Sequence, residues 1–463
     1  MSMVFSSLLF LFIFLPIFLM IYYVTPRGLR NFILFIASLI FYAWGEPVYV
    51  LIMIFSTLLD YTVGRVIDRY RTHKLIPKIA LAVSVCGNLG MLGFFKYADF
   101  FIENVNNFLG LDINLLKIAL PIGISFYTFQ TMSYTIDLYR EKIRVQKNII
   151  SFGAYVAMFP QLIAGPIVTY QTVEKELGER TETIEQFSEG VMRFIEGLAK
   201  KVLLANNIGL AWETMKAVPE GSLTLVGAWF GIIAFALQLY FDFSGYSDMA
   251  IGLGKMMGFK FPENFNYPYL SKSVTEFWRR WHMTLGSWFR EYLYIPLGGN
   301  RVSKLKFYRN LMIVWFLTGF WHGAGWNFVL WGLFFGVLII VERMGLLKAL
   351  EKCPAFISHI YLLFVIMISW VLFSLESGSQ IMMYLKAMFG IGEGGLISTE
   401  TLYNLSNYGL TLLIGVVFAT PLMNRLKERL KPWMLYVFYV VMLVLSTAYL
   451  VDSTFNPFLY FRF

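Results

Sequence analysis

Cysteine, histidine and charged residues are all scarce in this sequence of 463 residues. The only two cysteines, Cys86 and Cys353, belong to no CxxC or Cys/His spacing, which excludes a disulfide framework and a zinc site. Charged residues make up 14% of the chain. An ordinary soluble domain has about 25%. The composition therefore excludes an ordinary soluble globular protein.

Nucleotide-binding and hydrolase fingerprints are absent as well. The chain contains no GxxxxGKS/T, GxSxG or HExxH motif, which argues against an ATP-driven pump, a serine hydrolase or a zinc protease. No fixed-period repeat and no Pro/Gly/Ser-rich linker divides the sequence. We therefore predict one membrane domain over residues 1–463, with no bound cofactor and no metal ion.

Apolar residues supply 58% of the chain and are concentrated in long runs. Runs of this length and composition predict an all-α polytopic membrane protein with about eleven to thirteen membrane helices, some of them re-entrant. Two shorter amphipathic stretches, 97–108 and 380–389, predict interfacial helices. The predicted spans are 4–24, 31–45, 47–64, 79–96, 115–138, 149–170, 223–251, 310–341 as one or two pieces, 356–374, 408–423 and 434–451.

Short basic clusters between the apolar runs predict the orientation. They occur at 27–30, 65–78, 140–147, 301–309 and 425–431, and clusters of this kind favour the cytoplasmic side. Both termini, including a tail over 452–463, are then extracytoplasmic. We attribute the formal net charge of +9 to anchoring among membrane lipids, so no nucleic-acid partner is predicted.

The most informative residue is His322, the one ionisable side chain in the apolar run 311–341. A continuous helix over this run would be roughly 46 Å long, whereas the hydrocarbon core is about 30 Å thick. The run must break or tilt, and Gly319, Gly323 and Gly325 are the natural break. Because irregular backbone at that depth is tolerated only where protein buries it or water reaches it, we predict a cavity with His322 at its wall.

A second polar stretch at apparent membrane depth runs over 276–299. Glu276 can pair with Arg279 or Arg280 in a helix. Because the chain has only four histidines, a second one here favours a cavity lined by both His282 and His322. The alternative is an amphipathic helix in the cytoplasmic headgroup layer. At helical spacing one face would carry Trp278, Trp281, His282, Leu285 and Phe289.

Two carboxylates, Asp242 and Asp248, interrupt another apolar run together with Ser244 and Tyr246. Because an intramembrane aspartate is costly unless it is paired or hydrated, these side chains should face the interior. They could orient histidine tautomers, bind a cation, or bond to backbone freed by Gly245.

Several separated segments resemble the membrane-bound O-acyltransferase superfamily, in its branch that acetylates alginate, peptidoglycan and other cell-wall polysaccharides. The resemblance covers nearly the whole chain. Its segments are EFWRRWH at 276–282, YIPLGG at 294–299, WHGAGWN at 321–327, QLYFDFSGYSD at 238–248, VFSSLLFLF at 4–12 and FYAWGE at 41–46.

The resemblance implies a helical ring with a thinned centre and a tunnel between a cytosolic thioester and an extracytoplasmic acceptor. His322 matches the catalytic histidine of the family, His282 matches a second tunnel position, and Asn327 belongs to the same motif. A buried neutral imidazole suits the removal of a hydroxyl proton, and a nearby donor could steady the oxyanion. The tunnel-lining candidates are Asp242, Ser244, Tyr246, Asp248, Trp281 and Trp321.

The implied donor is acetyl-CoA or an acyl-carrier-protein thioester, and the implied acceptor is a polysaccharide served by a secreted SGNH-type transferase. Basic side chains on the cytoplasmic side would suit the donor's phosphates, although the orientation rule alone also explains them. The donor-binding candidates are Arg279, Arg280, Arg290, Arg301, Lys304 and Lys306.

The C-terminal tail carries four Phe and a Tyr in nine positions, which is typical of an aromatic belt. Its Phe458-x-Tyr460-x-x-Phe463 pattern also resembles the end of a small membrane subunit in teichoic-acid D-alanylation systems. That resemblance makes Tyr460 an acyl-relay candidate. Two further interpretations of the whole chain stay open: a secondary transporter that uses Asp242 and Asp248, and a scaffold for an extracellular partner.

Overall fold

The computed structural model describes residues 3–219, 221–452, 455–457 and 459, and all regular secondary structure in them is helical. Helices of two turns or more extend over Leu15–Val24, Arg30–Gly45, Val50–Arg69, Ile76–Leu109, Ile124–Tyr139, Ile149–Ala157, Tyr170–Gly178, Ile184–Ala199, Asn206–Lys216, Leu225–Met256, Lys304–His322, Trp326–Val341, Ala355–Ser374, Gly378–Met388, Thr399–Phe418 and Pro432–Asp452. Shorter helices include Phe159–Leu162, Val274–Phe277, Met283–Phe289, Leu347–Lys352 and Leu422–Lys427.

Within the described residues, eight helices are long and apolar enough to cross a membrane. The prediction of an all-α polytopic membrane protein is therefore confirmed. Eight is fewer than the eleven to thirteen expected, because several predicted spans form shorter or more polar helices. The span predicted over 115–138 is the helix Ile124–Tyr139, and that over 149–170 breaks after Ala157.

The chain forms two compact units, 1–194 with 246–262, and 195–245 with 263–463. In the first unit the helix Leu15–Val24 is tied to the segment after Gly178 by charged and polar groups. Arg30 forms an ion pair with Glu182 at 2.7 Å, and Arg180 donates to the Tyr22 hydroxyl at 2.8 Å. These bonds hold three separate stretches of the sequence together.

A helical hairpin dominates the second unit. Lys304–His322 and Trp326–Val341 pack closely, and the three residues that join them include Gly323 and Gly325 in an extended conformation. A Cβ atom at Gly319 would overlap the carbonyl oxygen of Phe328, so glycine is what permits the approach. The break predicted for the run 311–341 is thus confirmed at the two later glycines, whereas Gly319 serves the packing.

Two details of the sequence prediction are wrong. The stretch 97–108 is not a separate interfacial helix but the end of the continuous helix Ile76–Leu109. The stretch 276–289 is not one helix, because Val274–Phe277 and Met283–Phe289 are separated by a break that ends at His282. The interfacial prediction over 380–389 does match a separate helix, Gly378–Met388.

A candidate acyl-transfer site

His322 is the last residue of the helix Lys304–His322 and is only 6% exposed. Its ring packs edge-on against Trp331 and Phe373, with centroid distances of 5.0 and 5.5 Å. The extended backbone that begins at Gly323 lets the chain turn away directly after the imidazole. This histidine therefore lies at a helix end and is enclosed by aromatic rings.

His282 occupies a second break in the same unit. It caps the helix Met283–Phe289 in the left-handed region, with φ 43° and ψ 51°, a conformation that non-glycine residues rarely adopt. Its Nδ1 lies 3.1 Å from the side-chain oxygen of Asn264, and the Asn264 carbonyl accepts a hydrogen bond from the Met283 amide. Asn264 thus holds both the ring and the strained turn.

The bonds of Asn264 define the tautomer of His282. The same Asn264 oxygen accepts hydrogen bonds from the Thr284 hydroxyl at 2.9 Å and from the Thr284 amide at 3.3 Å, so it acts as an acceptor. His282 Nδ1 must then carry the proton and donate it. Burial lowers the pKa of His282 to about 3, which keeps the ring neutral and leaves the lone pair on Nε2.

Trp321 connects the two histidines. Its ring centroid lies 5.1 Å from that of His322 and 6.2 Å from that of His282. Phe243 packs edge-on against His282 at 4.7 Å. The structure therefore brings together the two imidazoles that the sequence singled out, with aromatic rings on both.

Asn327 lies close to this group but has a structural contact. Its side-chain nitrogen donates to the carbonyl oxygen of Phe373 at 3.4 Å, and the Phe373 ring contacts His322. Asn327 therefore anchors one wall of the aromatic enclosure. Trp281 is likewise a packing residue, stacked on Phe277 with centroids 5.5 Å apart.

The other interior candidates are distributed between the two units. In the second unit Asp242 forms a buried ion pair with Lys201 at 2.5 Å and accepts a hydrogen bond from the Leu459 amide at 2.9 Å. Ser244 is buried in the same unit. In the first unit Tyr246 stacks on Phe5 at 4.6 Å, and Asp248 forms an ion pair with Arg193 at 2.7 Å. Both carboxylates thus have cationic partners, as intramembrane aspartates require.

Three of the six predicted donor-binding residues surround one cavity of about 700 Å³ in the second unit. We call it the basic cavity. Arg279, Arg290 and Arg301 line it, and so does Arg343. Burial raises the pKa of the Tyr294 hydroxyl in its wall, while the nearby Arg343 guanidinium opposes that shift. The cavity therefore collects four guanidinium groups, the side chain best suited to phosphate oxygens.

The remaining basic candidates lie elsewhere. Arg280 forms an ion pair with Glu276 at 2.9 Å, the second of the two pairings that the sequence allowed. Lys304 and Lys306 are exposed and do not line the basic cavity.

Sequence reasoning missed Arg343 and Asn264. Arg343 ends an apolar run, where a basic residue is usually an anchor, and Asn264 lies in a loop without regular periodicity. The predicted relay residue Tyr460 lies outside the described residues, as do Phe458 and Phe463.

An all-helical membrane protein with two buried imidazoles and an arginine-lined cavity in the same unit fits the class of integral-membrane transferases. The model of the membrane-bound O-acyltransferase family matches residues 138–385. The chain is 41% identical to the "Probable alginate O-acetylase AlgI" of Azotobacter vinelandii, over 90% of this chain and 84% of that protein. The chain therefore belongs to the membrane-bound O-acyltransferase family, and it is an O-acyltransferase.

Two other relatives are named for transfer to peptidoglycan and to teichoic acid. A "Peptidoglycan O-acetyltransferase" of Helicobacter pylori is 34% identical over 84% of this chain and 80% of that protein. A "Teichoic acid D-alanyltransferase" of Bacillus subtilis is 29% identical over 47% of this chain and 58% of that protein.

Proposed function

We propose that this protein takes an acetyl group from a cytosolic thioester and passes it across the membrane for O-acylation of an extracytoplasmic polysaccharide. The observation that carries the proposal is the pair of buried imidazoles, His282 and His322, in contact with one indole ring. The relatives named for alginate and peptidoglycan O-acetylation support acetyl as the group and a polysaccharide as its final acceptor.

The chemistry requires one base and one proton donor. In the proposed step a hydroxyl oxygen attacks the thioester carbonyl carbon while His322 takes the hydroxyl proton. The C–O bond forms, the C–S bond breaks, and the proton passes from His322 to the departing sulfur. His282 supports the step from its neutral Nδ1–H form, in which Nε2 can accept a hydrogen bond.

The basic cavity is the proposed donor site. Coenzyme A and the phosphopantetheine of a carrier protein share phosphate groups, and bidentate guanidinium contacts bind phosphates with defined geometry. Acetyl-CoA is the donor we favour, because relatives that are 41% and 43% identical are named as probable alginate O-acetylases. The basic clusters favour a cytoplasmic position for this cavity and an extracytoplasmic position for both termini.

Tyr460 is the proposed acyl relay to a secreted SGNH-type transferase. Its described neighbour Leu459 is buried, and Pro457 accepts a hydrogen bond from Lys201. These contacts support a fixed place for Pro457 and Leu459, described residues that precede Tyr460. A phenol has a pKa of about 10, so it loses its proton more easily than a sugar hydroxyl, and its ester remains reactive.

Thioester turnover by purified protein tests the proposal. Wild type in detergent or nanodiscs should release free CoA from acetyl-CoA slowly, and His322→Ala should abolish release without changing expression or monodispersity. His73→Ala is the matched control, because His73 is exposed in a loop. A secondary transporter or a scaffold would release no CoA at all, and full release by the His322 variant would remove this residue from the mechanism.

The relay is tested separately by intact mass. With acetyl-CoA present, wild type should gain the mass of one acetyl group, and Tyr460→Phe should not. Full polysaccharide acetylation by the Tyr460→Phe variant in cells would return the tail to the role of an aromatic anchor.

A further inference from the structure

Glu342 is a buried carboxylate with an unusual set of bonds. It lies at the end of the helix Trp326–Val341 and is 1% exposed. One oxygen accepts a hydrogen bond from the Val274 amide at 2.6 Å. The other accepts two from Thr275, from its amide at 2.9 Å and from its hydroxyl at 2.6 Å. Both oxygens thus bind the first turn of the helix Val274–Phe277.

This arrangement explains why a charged group can be buried at the end of an apolar span. The first amides of a helix have no partner within the helix and carry partial positive charge, so they favour an anion. Hydrogen bonds to an ionised group are shorter and roughly twice as strong as neutral ones. The carboxylate therefore fixes the start of Val274–Phe277 against the end of the span.

Two further contacts tie the same part of the chain to one neighbouring helix, Ala355–Ser374. His359, near the start of the helix Ala355–Ser374, has its Nδ1 at 2.7 Å from the Ser271 carbonyl. The Tyr361 hydroxyl donates to Glu342 at 3.3 Å. His359 thus holds the segment that precedes Val274–Phe277, whereas Tyr361 contacts only the carboxylate.

The segment fixed by Glu342 leads directly into the site. Arg279, in the wall of the basic cavity, comes four residues after Thr275, and His282 comes seven residues after it. Arg343, the residue after Glu342, lines the same cavity. One carboxylate is therefore bonded to the short helix that precedes Arg279 and is adjacent in sequence to Arg343, two of the four cavity arginines.

We infer that Glu342 is a positioning residue for donor binding: its bonds to Val274 and Thr275 hold Arg279 and Arg343 at the separation that the donor's phosphates require. This inference rests on the proposed acyl transfer, with the basic cavity as the donor site. Glu342 itself does not touch the reacting atoms in this proposal.

Three variants test the inference through steady-state kinetics of CoA release. Glu342→Gln presents an amide NH2 to backbone donors, and we expect the KM for acetyl-CoA to rise about tenfold. Thr275→Val keeps the shape and loses only the hydroxyl bond, so a rise of about threefold is expected. Tyr361→Phe is the matched control: it removes the long bond to the same carboxylate without touching Val274–Phe277, and KM should stay within about twofold of wild type.

A purely structural role would lower the active fraction and kcat but leave the donor KM unchanged. An unchanged KM in both Glu342→Gln and Thr275→Val would overturn the inference, as would an equal rise in Tyr361→Phe. If Glu342→Gln cannot be purified, the comparison of Thr275→Val with Tyr361→Phe decides alone. Failure of the underlying function gives a different result, because wild type would then release no CoA.

Discussion

Removing the side-chain oxygen of Asn264 should slow catalysis without weakening donor binding. Asn264→Ala leaves three donors without their acceptor: His282 Nδ1–H, the Thr284 amide and the Thr284 hydroxyl. Loss of a partner that orients a metal-bound histidine typically lowers activity about 10- to 100-fold. We expect the same factor for His282, which at about 1.4 kcal/mol per factor of ten corresponds to about 1.4–2.7 kcal/mol of barrier. We therefore expect kcat for CoA release to fall by that factor, with the donor KM unchanged.

The pH profile separates orientation of the ring from a general loss of structure. Burial holds the pKa of His282 at about 3, so wild type should show no acid limb from this residue between about pH 5 and 8. Asn264→Asp keeps an acceptor oxygen but adds negative charge, which favours the imidazolium and raises the His282 pKa. As the pH is lowered, the activity of Asn264→Asp should therefore begin to fall at a higher pH than the activity of wild type.

Asn407→Ala is the control for these variants, because Asn407 is exposed on the helix Thr399–Phe418. A kcat for Asn264→Ala within twofold of wild type would refute the role assigned to Asn264. So would an Asn264→Asp profile that coincides with that of wild type.

Three further variants follow from the geometry. Arg343→Ala should raise the KM for acetyl-CoA about 10-fold, measured by initial rates of CoA release, because it removes one charge-assisted contact. Lys306 does not line the basic cavity, so Lys306→Ala should change this KM less than about twofold. Gly319→Val should destabilise the helical hairpin by about 1–3 kcal/mol or more in a thermal scan, because the added atoms overlap a backbone carbonyl of the facing helix. Gly90 has open space around it, so the control Gly90→Val should unfold close to the wild-type temperature. Asp242→Asn should remove the negative charge that pairs with the buried Lys201 and should weaken the acceptor of the Leu459 amide. We expect limited proteolysis to cleave the variant faster than wild type close to Leu459.

The main features of the site could be predicted from the sequence because they depend on one-dimensional patterns. His322 stands alone in an apolar run too long for one straight span, and glycines mark where the run breaks. Arg279, Arg290 and Arg301 lie within a short stretch of chain, so their convergence on one cavity follows from local structure.

The features that could not be predicted depend on contacts between distant segments. Arg343 reaches the basic cavity because the helix that ends beside it packs on Val274–Phe277, and Asn264 reaches His282 across a turn of irregular backbone. The left-handed conformation of His282 is a further example. Helical periodicity placed this residue within a continuous face, whereas the tertiary bonds of Asn264 stabilise a break at that residue.

The positions of the two histidines share a physical reason. His322 ends one helix and His282 caps another, so each imidazole lies where backbone groups leave the regular helical hydrogen-bond pattern. In a membrane such irregular backbone is tolerated only where protein buries it or water reaches it. A polar thioester and a hydroxyl need the same conditions, since a continuous apolar helix offers neither donors nor space. We therefore expect substitutions that convert either break into regular helix to abolish acyl transfer even when both histidines are retained.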